Sequence, residues 1–322
     1  MRAGDGKDMQ VVNAQRVQDR MGMDGTSVVS RRTVLLGGGA SLLAASNAPA
    51  SRLSVEGYIW QQYASRQKKT LGQVLDEVIP MARKAGFHNI ELNQEYFAPA
   101  LRDRTLQLVR ANGLRMPSVY VGGGMHEAKR ADETIARALD IAGVCQPFGC
   151  TAVVHNPDPK PNHAEKSDDE LSVQSQSLNR MGRALLDKGF QLRVHNHTPE
   201  MVNNAREWRH TLHNTDAKYV TLCLDLDWVH QGGQDPLALL REAGSRVTEV
   251  HVRNSKNMLW LEAVEDGDVD YRPIAAYFSE SGLKPLIVVE LAYRENTPVT
   301  RSLEEDLSRS RVYTEHVFGM KA

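Results

Sequence analysis

Thr151-Ala152-Val153-Val154-His155 is a short apolar run closed by an imidazole, and Gln191-Leu192-Arg193-Val194-His195 is a second run of the same kind. Between them, residues 168–187 carry apolar side chains at helical period and stop at Lys188-Gly189, where glycine suits the left-handed end of a helix. Two strands joined through a helix rather than a tight turn form a βαβ unit, because parallel strands need a long crossover. Each run also delivers a polar residue to the same end of the sheet.

The rhythm extends in both directions. Upstream, strands are expected over 57–63, 88–92 and 116–121, with helices over 71–84, 101–111 and 132–144. Downstream, strands are expected over 220–225, 247–252 and 286–290, with helices over 236–242, 271–281 and 303–318. Eight βα units in about 270 residues predict a single (β/α)8 TIM barrel over 51–322. An open doubly wound sheet fits less well, since the expected first strand leads into Gln, Ala, Ser and Lys instead of a glycine-rich phosphate turn.

Composition narrows the function classes. The 322 residues are 41% hydrophobic and 25% charged, as in ordinary globular proteins, and 39 basic against 40 acidic residues give a net charge of −1. No basic face is available to neutralise phosphates, so nucleic acid is not an expected partner. Three cysteines, Cys145, Cys150 and Cys223, are too few and oddly numbered for a disulfide framework.

Residues 1–50 read as an address and a disordered N-terminus. Ser30-Arg31-Arg32-Thr33-Val34-Leu35-Leu36 opens an apolar stretch to Leu43, broken by Gly37-Gly38-Gly39 and followed by small residues at 45–50. The arginine pair resembles a twin-arginine export signal, which implies a periplasmic or secreted protein. The stretch is shorter than the ~20 apolar residues of a membrane span, so no permanent anchor is expected.

The strand ends carry the chemistry. Glu91, His155, His195, Asp225, His251 and Glu290 each close or nearly close an apolar run, His197 follows two residues after His195, and His126 lies beyond the third strand. Active sites of (β/α)8 barrels are built at that rim. Carboxylates and neutral imidazoles converging there would stay unsatisfied without a cation or a polar ligand. Mixed oxygen and nitrogen donors without a thiolate suit one divalent metal, Mn, Mg, Co or Zn. Trp60, Trp228 and Trp260 offer an apolar wall against a sugar ring, and Arg253 and Lys256 offer cations for a phosphate or carboxylate.

At these residues the chain resembles the xylose isomerase-like barrel superfamily of sugar phosphate isomerases and epimerases, inosose dehydratases and endonuclease IV. Asp225 in Cys-Leu-Asp-Leu-Asp-Trp, His251 in Glu-Val-His-Val-Arg-Asn and Glu290 in Val-Val-Glu-Leu-Ala-Tyr match three of that group's metal ligands. His195, in Val-His-Asn-His-Thr-Pro-Glu, falls where the epimerases carry a glutamate and completes the implied quartet. This replacement disfavours two-base epimerisation. The resemblance implies instead a lyase, hydrolase or isomerase acting through an enolate of a keto sugar, 3-keto glycoside or inosose, with Glu290, His155 or His197 as the base. Glu91, Trp60, His126, Trp228, Arg253 and Lys256 are the implied substrate-binding residues, and 265–271 resembles the loop before the seventh helix, although a turn and helix cap explains it equally. A sugar-binding protein without chemistry on the same barrel is the alternative, and a homodimer is compatible with either reading.

Overall fold

The computed structural model describes residues 51–320. The export pattern expected over 1–50 lies outside the described residues.

Eight strands close into a barrel: β1 Leu53–Glu56, β2 Ile90–Asn93, β3 Ser118–Tyr120, β4 Ala152–His155, β5 Gln191–Val194, β6 Val220–Asp225, β7 Val247–Val252 and β8 Leu286–Val289. Each pairs in parallel with its neighbours in sequence, and β8 returns to β1 through Leu53↔Ile287 and Val55↔Val289. The expected single (β/α)8 barrel is therefore the observed one. Helices α1 Tyr58–Arg66, α2 Leu71–Lys84, α3 Arg102–Ala111, α4 Ala128–Cys145, α5 Asp168–Leu186, α6 Thr198–Asn214, α7 Leu226–Gln231, α8 Pro236–Ala243, α9 Arg272–Ser281 and α10 Leu303–Phe318 connect and cover the strands.

Local chemistry explains the best-defined elements. The α5 helix starts at a reciprocal cap, in which Ser167 Oγ accepts from the Glu170 N–H and Glu170 Oε2 accepts from the Ser167 N–H at 2.7 Å. Its Leu171, Leu178, Met181 and Leu185 then bury one stripe against the barrel. Most of the apolar core lies in this shell between strands and helices.

Two elements differ from the sequence expectation. The first strand is Leu53–Glu56, and Tyr58–Arg66, expected as strand over 57–63, is helix α1. β1 is only four residues long and alternates, Leu-Ser-Val-Glu, too short a signal beside the bulky apolar run Tyr58-Ile59-Trp60, which imitates a strand. Trp60 consequently packs in the core from α1 and does not stand at a strand end. Helix α6 was not anticipated, because its polar sequence is interrupted at Asn203, Asn204 and Ala205, all with positive φ.

Gly57 joins β1 to α1 at close quarters. The Tyr96 hydroxyl donates to its carbonyl at 2.8 Å, and a Cβ placed there would lie 2.9 Å from Leu92 Cδ2 and 3.2 Å from Tyr96. Gly57→Ala is therefore expected to destabilise the barrel by about 1–3 kcal/mol, through overpacking rather than backbone strain. Denaturant unfolding checks this, and an unchanged midpoint would contradict it.

Candidate metal centre and cavity

Asp225 ends β6, and His251 lies directly beside it in β7. His195 and Glu290 come immediately after β5 and β8. The parallel register thus carries four polar side chains to one height of the rim. One donor atom from each of His195, Asp225, His251 and Glu290 lies within 4.8 Å of the others, and all four residues are buried.

His195 Nε2 points between the carboxylates, 3.8 Å from Asp225 Oδ2 and 3.6 Å from Glu290 Oε2, and has no hydrogen-bond partner among the described residues. Its Nδ1 faces Asn156 Oδ1 and the Tyr120 hydroxyl, each at 3.4 Å. His251 Nδ1 lies 2.6 Å from Glu290 Oε2, while its Nε2 faces the barrel lumen, 3.1 Å from Glu91 Oε1. Two imidazole nitrogens and two carboxylates turned toward one point, one nitrogen orphaned, fit a divalent cation of the borderline-hard class.

Arg253 is built into this centre. Its guanidinium donates to Asp225 Oδ2 at 2.7 Å and Glu290 Oε1 at 2.9 Å, and lies against the adjoining rings of Trp228 and Trp260 at 4.8 and 4.6 Å. Burial pushes the Glu290 carboxyl up, but Arg253, His195 and His251 outweigh it and hold the group well below the usual range. Burial likewise opposes charge on His195, and Asp225 with Glu290 raises it on balance.

A cavity of about 290 Å³ opens above these residues, lined by Glu56, Asn93, Tyr120, His197, Trp228 and Glu290 among others. The half-buried His197 stacks edge-on against His195 and Trp228, at 4.9 and 5.2 Å, and caps α6, its side chain turned to the Glu200 N–H while Glu200 accepts from the His197 N–H. Burial and the neighbouring His195 hold it well below the ordinary histidine range, so it is a neutral imidazole. A larger, more open groove of about 820 Å³ lies outside the barrel among α1, α2 and α10 and contains none of the strand-end residues.

Several expected site residues stand elsewhere. Asn93, not Glu91, ends β2, so Glu91 sits below the cavity in the lumen. His155 is fully buried, its Nδ1 bonds the Val121 carbonyl at 2.6 Å, burial lowers it to about 4, and it does not line the cavity. His126 is also outside the lining, buried beside Glu127 at 3.5 Å. Lys256 is exposed on the hairpin Ser255–Lys256 and Leu259–Trp260. Trp60 is in the core, leaving Trp228 and Trp260 as the aromatic wall. Arg253 lines the cavity but is engaged by Asp225 and Glu290, so it cannot serve a phosphate.

Sequence reading passed over Glu56, Asn156 and Tyr120. The signal for Glu56 was present, since Leu53-Ser54-Val55-Glu56 is a short alternating segment closed by a carboxylate, hidden by placing the strand four residues late.

Residues 53–312 match the xylose isomerase-like TIM barrel family. An inosose dehydratase of Klebsiella pneumoniae is 24% identical over 290 residues, covering 79% of this chain and 92% of that protein. That of Clostridium tetani is 24% identical over 165 residues, 46% of this chain, and the match spans about half of the relative, 54%. Among solved structures, a sugar phosphate isomerase/epimerase of Parabacteroides distasonis superposes with TM-score 0.65 at 20% identity, covering 85% of this chain and 97% of that one. The match extends from β1 into α10, and the chain belongs to the xylose isomerase-like TIM barrel family.

Proposed function

We propose that this chain is a metal-dependent lyase that removes a proton beside the ketone of an uncharged keto sugar or cyclitol and expels the β-substituent. The observation that carries the reading is the convergence of His195, Asp225, His251 and Glu290 within 4.8 Å, with His195 Nε2 unpaired. A bound divalent ion would act as a Lewis acid on the substrate carbonyl, easing formation of the enolate.

The protein's own groups divide the remaining work. Glu290 is held on one oxygen by Arg253 and on the other by His251, which leaves it poorly placed to move a proton. His197 is neutral, faces the cavity and is paired with no carboxylate among the described residues, so the ring nitrogen not turned to the Glu200 N–H is the base. Trp228 and Trp260 present apolar surface to the ring, and Asn93 and Gln61 supply amides for hydroxyls. Among the described residues Arg253 is the only Arg or Lys in the lining and is already paired, so the cavity favours uncharged substrates over sugar phosphates. The likeness to proteins named inosose dehydratase supports the same class. We further propose export through residues 30–50; a reporter fused to residues 1–50 is expected outside the cytoplasm, and inside it when Arg31 and Arg32 are both changed to Lys.

Asp225→Ala and His251→Ala are each expected to abolish stoichiometric metal, read by elemental analysis, together with turnover in a product screen over inososes and 3-keto glycosides. Retained turnover in either variant defeats the reading, and sugar binding that survives a chelator with no product favours a binding protein instead. His197→Ala is expected to keep its metal yet lose about 10²–10⁴-fold in both product formation and exchange of the α-hydrogen with D₂O. Undiminished exchange would remove His197 as the base.

A further inference from the structure

Glu56 ends β1 and lines the cavity, although it is almost wholly buried. Its Oε2 accepts the Tyr58 N–H at 2.7 Å, and no hydrogen bond or ion pair joins it to His195, Asp225, His251 or Glu290 among the described residues. A backbone N–H aimed at Oε2 makes that oxygen the acceptor, so a proton on this carboxyl resides on Oε1. Oε1 has no protein partner among the described residues.

The barrel places this acid opposite His197. In the closed order, β1 and β5 are four strands apart in either direction, and His197 follows β5 by three residues. A ring held in the cavity therefore has the His197 imidazole on one side and the Glu56 carboxyl on the other.

We propose that Glu56 is the catalytic acid that protonates the departing oxygen of the β-substituent, an inference that rests on the lyase reading above. The α C–H bond breaks and its proton goes to His197. The C–O bond to the β-carbon breaks, a C=C bond forms beside the carbonyl, and the leaving oxygen takes the Glu56 proton and departs as water or an alcohol. Solvent then returns one proton to Glu56 and removes one from His197, so no oxidant or reductant is required. Burial, reinforced by Glu290 and Glu91, pushes the Glu56 carboxyl well above the ordinary range and so favours the protonated form.

The test uses the metal-loaded protein with a ketone-bearing cyclitol and the same compound carrying fluorine in place of its β-hydroxyl, because fluoride departs without a proton. Glu56→Gln keeps the acceptor for Tyr58 N–H and is expected to slow hydroxyl loss about 10²–10⁴-fold, while fluoride loss and α-hydrogen exchange in D₂O stay within a few-fold of the parent. Glu56→Asp, with an acid on a shorter arm, should recover part of the hydroxyl loss. Equal slowing of hydroxyl and fluoride loss, or no slowing of either, overturns the role of Glu56 alone. A parent protein that neither exchanges nor eliminates either compound overturns the lyase reading, and this inference with it.

Discussion

The buried guanidinium of Arg253 fixes the site. It donates to Asp225 at the end of β6 and to Glu290 just past β8, and so spans the strand between them, β7, just past whose end it lies. Two carboxylates this deeply buried would each need a partner, since an ionised group stripped of water costs several kcal/mol. Arg253 satisfies one oxygen of each and is itself covered by Trp228 and Trp260, whose faces favour a cation and exclude water. The arrangement leaves an unpaired imidazole nitrogen beside two carboxylates, the condition that suits a cation from solution. Pairing Arg253 inward also leaves the cavity with no unpaired arginine or lysine in its lining among the described residues.

How much of this was legible in the sequence follows from where each signal resides. Val220–Asp225 was placed to the residue, and so were the helices Leu71–Lys84 and Leu303–Phe318, because their apolar residues recur at a fixed period and are closed by recognisable caps or stops. The convergence of His195, Asp225, His251 and Glu290 was readable for the same reason: in a parallel barrel a polar residue ending an apolar run has one place to go. Glu91 misled because β2 runs to Asn93, and a shift of one or two residues in register decides whether a side chain meets the cavity or the lumen. The pairing of Arg253 was not legible, since a sequence shows a cation after His251 and not the two carboxylates that claim it.

The layer below the centre shows why His251 presents one particular nitrogen upward. Ser118 on β3 and Glu249 on β7 stand on opposite strands, yet the Ser118 hydroxyl donates to Glu249 at 3.2 Å, so the contact crosses the lumen. Glu91 joins the same hydroxyl, and Arg193 pairs with Glu249. The two carboxyls are driven apart: burial and Glu249 push Glu91 up to about 7, whereas Arg193 overcomes burial and holds Glu249 at about 2. An ionised carboxylate is thus kept beneath His251, with Glu91 Oε1 3.1 Å and Glu249 Oε1 3.4 Å from its Nε2. Burial opposes charge on His251, but Cys223 and the carboxylates around it outweigh this and raise it well above the ordinary histidine range, so its Nδ1–H donates to Glu290 and its Nε2 faces the lumen carboxylates. The barrel fills this part of its lumen with charges rather than with the usual branched aliphatic layer, and the direction of the His251 imidazole is set from below by residues that never touch the cavity.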